Sequence, residues 1–240
     1  MLRSVPSRLL VVIVAACVPE GPATDRDVTL PEQTIVVRAG DRPDPPLGEG
    51  FRDDFEREEI GGDYEVLSDA WAISDGWLCA QNARNQGIWL KRRLPRDVRI
   101  EFDAVALSDD GDIKVELFGD GASGATGVSY NDATGYVAIY GGWKNSEHVL
   151  ARLDEHGEDR KTIRVEPGSD DPAAAPVRSG QPYHFKFERR HGNMLVMSVN
   201  GSTVLELEDP APLAGRGHEH FAFNEWTAPV CFDNLSIEPL

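Results

Sequence analysis

From Phe51 to the end of the 240-residue chain, apolar and polar positions trade places with period two. Val98, Ile100, Phe102 and Ala104 alternate with Arg99, Glu101 and Asp103. Ile113, Val115 and Leu117 alternate with Lys114 and Glu116, and Tyr183, Phe185 and Phe187 with His184, Lys186 and Glu188. Successive side chains of a strand point to opposite faces, so each run predicts a strand with one wet face. The sharpest local signal is Asn200-Gly201 between two such runs, Leu195–Val199 and Thr203–Leu207. That pair takes the two positive φ angles of a type I′ turn, and it predicts a hairpin. Runs around 71–80, 86–91, 135–141, 161–166, 219–224 and 230–237 bring the total to about ten to thirteen strands separated by turns. The expected fold class is all-β, an antiparallel β-sandwich or jelly roll. Residues 145–153 fit a strand or a short helix started by Ser146; the strand is preferred, with His148, Leu150, Arg152 and Asp154 on one face.

Composition agrees with this. Gly (23) and Pro (16) are too frequent for a helical bundle, and 40% hydrophobic residues are enough for a core. A net charge of −17 repels a phosphate backbone and excludes nucleic acid as the expected partner. There is no Gly-x-Ser-x-Gly elbow, phosphate-cradling loop or dinucleotide fingerprint, so serine hydrolase, NTPase and dehydrogenase readings fall away.

The amino terminus reads as an address. Arg3 and Arg8 precede the apolar run Leu9–Ala16, too short to cross about 30 Å of hydrocarbon. Val14-Ala15-Ala16-Cys17 resembles a bacterial lipobox, which implies removal of residues 1–16 and lipidation of Cys17. An outer-membrane lipoprotein of the cell envelope is expected, held to the membrane by lipid alone. Residues 17–50, with six prolines between Pro19 and Pro46, read as a tether, and 51–240 as the sandwich. With Cys17 committed, Cys79 and Cys231 remain. An exported compartment favours pairing them; the alternative is two buried thiols on separate strands.

Four motifs in order resemble the concanavalin A-like lectin/glucanase superfamily, in particular its bacterial exported domains similar to family 16 glycoside hydrolases or 3-keto-disaccharide hydrolases. They are Phe51–Phe55, Trp71–Leu78, Val199-Asn200-Gly201 and Val230–Ile237. The resemblance implies first and last strands side by side. Its chemistry does not carry over: the family-16 Glu-x-Asp-x-(x)-Glu pattern is matched only by Glu101 and Asp103, with the third carboxylate missing.

The densest polar and aromatic stretch is Tyr140–His148, continuing from Arg152 to Gly157. Sugar rings stack their C–H faces on Trp and bond their hydroxyls to Asn, Asp, Arg and His. Candidate ligand-binding residues are therefore Trp143, Asn145, His148, Arg152, Asp154 and Trp226, the last beside Glu225. Were the domain catalytic, Glu155 or His156 would be the base, with Arg152 clamping a carboxylated sugar. Asp109, Asp110 and Asp112 are candidate ligands of a structural calcium, against the plainer reading as acidic turns. His218 and His220 share a strand face but lack a third metal ligand nearby. Three functions follow in order: a carbohydrate-binding domain, a glycoside hydrolase or polysaccharide lyase on the same fold, and a protein-binding surface domain.

Overall fold

The computed structural model describes residues 44–240. The signal, Cys17, and the tether as far as residue 43 lie outside the described residues. The described residues form fifteen strands: β1 Phe51–Asp53, β2 Tyr64–Val66, β3 Trp71–Ser74, β4 Trp77–Ala80, β5 Ile88–Leu90, β6 Val98–Ala106, β7 Ile113–Gly119, β8 Tyr136–Gly141, β9 Glu147–Arg152, β10 Lys161–Arg164, β11 Pro182–Arg190, β12 Met194–Val199, β13 Ser202–Glu208, β14 His220–Asn224 and β15 Val230–Pro239. They make two antiparallel sheets. One runs β13-β12-β11-β6-β15-β4-β3 with β1 added beside β15; the other runs β10-β9-β8-β7-β14-β5-β2. The fold is an all-β antiparallel sandwich of jelly-roll form.

The alternation seen in the sequence builds the core. Phe102, fully buried at the middle of β6, meets Phe185, Phe187, Phe221, Phe223 and Phe232 at ring separations of 5.1 to 6.2 Å. These rings come from both sheets, and each such pair adds about 0.5–1.5 kcal/mol beyond the area it buries. Asn200 and Gly201 take φ of 50° and 81°, as an Asn-Gly hairpin requires. The stretch 71–80, which reads as one run, is instead a second hairpin, because Asp75 and Gly76 also turn with positive φ (51° and 78°). Residues 147–152 are a strand, with His148 and Leu150 buried.

Cys79 and Cys231 sit opposite one another on β4 and β15 and form a disulfide that joins residues 152 apart in sequence. Phe51 pairs with Ile237, so the first strand lies beside the last. The packed part begins before the boundary expected at residue 50: Leu47 is in the core and its N–H donates to the Arg93 carbonyl at 2.9 Å.

Candidate functional site

The two sheets treat their outward positions differently. On β7 every residue is buried, including Lys114 and Glu116, whose side chains leave the core side occupied by Ile113, Val115 and Leu117. The cover is the β7–β8 connection. Its Tyr130 and Ala133 pack with Val137, Ile139, Val149 and Ala151 into a second apolar cluster on the sheet's outer face. The Tyr130 hydroxyl and the Thr134 and Gly135 N–H groups all donate to Glu116. Burial nonetheless outweighs these bonds and pushes the Glu116 carboxyl up to about 7.

Beside that cover lies a cleft of about 330 Å³, lined among others by Asp110, Asp112, Lys114, Trp143, Glu155, His156 and Trp226. Lys114 forms its floor. Its Nζ donates to Asn85 Oδ1 at 2.9 Å and to Glu155 Oε2 at 3.1 Å, and stands 3.9 Å from Asp112 Oδ1. Glu155 Oε1 also accepts from the Tyr130 N–H. Burial raises the Asp112 carboxyl above its ordinary value against the pull of Lys114. Glu225, fully buried, feels the charges of both Asp112 and Lys114; burial pushes it up to about 7. Its Oε2 accepts from the Ala83 N–H at 2.6 Å, and its Oε1 has no hydrogen-bond partner among the described residues.

The walls carry two indoles, each backed by an arginine. The Arg160 guanidinium lies 4.9 Å from the Trp143 ring centre, and His156 meets the same ring edge-on at 5.4 Å. Arg84 lies 4.9 Å from Trp226. Cation–π contacts of this kind help to fix a ring's tilt. Trp143 is presented by an unusual piece of backbone. Trp143, Lys144 and Asn145 all have left-handed φ (49°, 57° and 60°) and form one turn of left-handed helix closed by the Ser146 N–H on the Gly142 carbonyl. Left-handed residues without glycine cost roughly 1–2 kcal/mol each, so the surroundings must hold this turn in place. Asn145 does so, with its amide donating to the Asp109 and Val177 carbonyls and its oxygen accepting from the Val177 N–H. Gly111 (φ 74°) lets β7 approach, since a Cβ there would stand 2.4 Å from the Gly141 carbonyl oxygen.

Of the residues singled out by sequence, Trp143, Glu155, His156, Trp226, Asp110 and Asp112 come together at the cleft. The others are placed elsewhere. His148 is fully buried, stacked on Tyr140 at 4.0 Å, with burial holding its imidazole down at about 4 and its Nδ1 accepting from the Gly141 N–H. Asn145 is a fastener, as described. Arg152 donates to Asp209 and to the Ala211 carbonyl, and Asp154 caps a turn by accepting from the His156 N–H. Asp109 accepts from the Ser179 N–H. Among the described residues no three His, Cys, Asp or Glu side chains converge as metal ligands, and Asp109 is spent on the Ser179 N–H. His218 contacts the Thr134 carbonyl, whereas His220 faces Asp44. Lys114 and Asn85 were missed, because a lysine alternating with apolar residues is the ordinary mark of a solvated strand face.

No family model and no curated protein matches the sequence. Solved structures match the fold. The carbohydrate-binding module CBM66 from Bacillus subtilis is 14% identical, over 73% of this chain and 95% of that one, with a TM-score of 0.53. Alginate lyase Aly36B is 14% identical (81% and 98%, TM-score 0.53), and the carbohydrate recognition domain of Emp47p 12% identical (80% and 95%, TM-score 0.53). At such identities the likeness is one of fold: the chain has the jelly-roll sandwich that carbohydrate-binding, galectin-like and lyase domains share, and the narrower family-16 resemblance rests on motif order alone.

Proposed function

We propose that this protein binds a carbohydrate in the cleft between Trp143 and Trp226, displayed from a bacterial cell envelope by a lipid on Cys17. The observation that carries the reading is the pair of arginine-backed indoles on one cleft with a polar floor. Stacking planes at the walls and directional hydrogen-bonding groups beneath them are what a sugar ring needs. The solved structures of like fold include a carbohydrate-binding module and a carbohydrate recognition domain, which supports the same reading. The test is a glycan array probed with the chain carrying Cys17→Ser: selective binding that Trp143→Ala strongly weakens is expected, and binding unchanged by Trp143→Ala refutes the placement. The anchor is tested separately. Cys17→Ser should move the protein from the membrane to the soluble fraction.

A second reading, hydrolysis of the bound glycan, is favoured by one observation. Asp112 and Glu155 oxygens stand 3.9 and 3.1 Å from the same Lys114 nitrogen and so lie within about 7 Å of each other. Glycosidases place two carboxyl groups about 5–9.5 Å apart across the scissile bond. Release of reducing ends from a bound oligosaccharide, lost in Glu155→Gln, would establish it. The Arg152 clamp imagined for a uronate is absent from the cleft, since that guanidinium is spent on Asp209.

A further inference from the structure

We propose, resting on the carbohydrate reading above, that Asp112 and Lys114 act together as a hydroxyl-reading pair that sets the cleft's specificity for uncharged sugar units and against carboxylated or sulfated ones.

The ammonium of Lys114 has three N–H donors, and two are used within the protein, on Asn85 and Glu155. Asp112 Oδ1 stands 3.9 Å away, beyond hydrogen-bond reach, and the Asp112 carboxyl receives no hydrogen bond among the described residues. Both side chains line the cleft. An oxygen placed about 2.8 Å from each spans that gap, at a usual hydrogen-bond distance from both. Only a group that accepts on one side and donates on the other satisfies both partners. A sugar hydroxyl does this.

An anionic sugar fails for two reasons. The oxygens of its carboxylate or sulfate only accept, so that group cannot take the hydroxyl's place between Lys114 and the Asp112 carboxylate. The surrounding charge also opposes it. Lys114 is matched by Glu155, and Asp110, Asp112 and the buried Glu225 add acidity around the floor. Of the nearby arginines, Arg160 is paired with Glu147 and Arg152 with Asp209, while Arg84 lies over Trp226 and is exposed to solvent. Lys144 is likewise exposed on the left-handed turn, and solvent screens both of these rim cations.

The test is calorimetric titration of the Cys17→Ser chain with hexasaccharides of neutral glucan, xylan, mannan and fructan, and with oligosaccharides of alginate, polygalacturonate and a sulfated galactan. A neutral ligand should bind at least tenfold more tightly than every anionic one. Asp112→Ala should weaken the neutral ligand about tenfold, as loss of a hydrogen bond to a charged group does. Asp112→Asn, which keeps the shape and removes the charge, should narrow the neutral-to-anionic ratio severalfold. Should Asp112→Ala fail to fold, the ratio measured in Asp112→Asn decides. Equal or tighter binding of an anionic oligosaccharide overturns the inference while leaving carbohydrate binding intact, and so does an unchanged ratio in Asp112→Asn. Absence of binding to either class overturns both this inference and the reading beneath it.

Discussion

The outer faces of the two sheets carry similar residues and put them to different use. On the eight-stranded sheet, β6 and β11 turn Glu101, Asp103, His184 and Lys186 outward into cross-strand pairs open to water, such as His184 Nδ1 to Asp103 Oδ1 at 2.8 Å. Even the deeply set Glu188 is held below its ordinary value. Burial raises it, but hydrogen bonds from Arg99 and Arg190 outweigh that. On the seven-stranded sheet, Lys114 and Glu116 stand at equivalent positions of the pleat, yet both are buried, Glu116 under the β7–β8 connection and Lys114 at the floor of the cleft, and the carboxyls there rise. The difference is the cover and the supply of cations. Period-two alternation reports which side chains leave the core; it does not report what lies on top of them.

The contrast can be broken most forcefully at Lys114. Lys114→Met should destabilise the fold by about 3–5 kcal/mol in urea unfolding, because it leaves Glu155 buried beside Asp112 without its counter-charge. A cost under 1 kcal/mol would mean the floor is wetter than its geometry. Next is Glu225→Gln. A carboxyl raised to about 7 contributes stability that is complete below the unfolded value of 4.5 and declines as pH climbs through 7. The variant should therefore match the parent near pH 4.5 and exceed it above pH 7 by on the order of 2–3 kcal/mol, read from melting temperature against pH. Glu188 has the opposite sign, and its contribution should fade only as pH falls below 4.5.

Trp143→Ala should cost about 2 kcal/mol of ligand binding, roughly thirtyfold in Kd, with little change in melting temperature since the indole is 38% exposed. Lys186→Met completes the comparison at its small end. Its ion pair with Glu188 (3.5 Å) is partly exposed and shared with two arginines, so a change within about 0.5 kcal/mol is expected. A loss as large as that of Lys114→Met would erase the distinction between the faces.

Much of the sandwich was legible because its signals are local. Asn200-Gly201 specifies a turn by backbone chemistry alone, and β6 and β11 display their wet and dry sides residue by residue. The hairpin at Asp75-Gly76 was harder, since the flanking residues Trp71–Ala80 read as one uninterrupted run. The cleft was half visible. Trp143, Glu155, His156 and Trp226 attract notice by residue type, whereas Lys114 looks in sequence like Lys186, and only the folded-over β7–β8 connection separates them. His148 shows the converse: a polar residue in a polar stretch, one pleat from the outer face, ends up stacked on a core tyrosine. No pattern announces that a Trp-Lys-Asn sequence will adopt a left-handed turn, because neither tryptophan nor lysine favours it.

The bond between Cys79 and Cys231 gives the molecule a mechanical property. Asn85, Asp112, Lys114, Trp143, Glu155 and Trp226 all fall inside the covalent ring that this bond closes. Traction applied near Asp44 against a load held by the two indoles can strip β1 to β3 from the sheets, but it reaches an inextensible link before it reaches the floor of the cleft. Under reducing conditions that stop disappears, and the grip on the load should then yield at lower force.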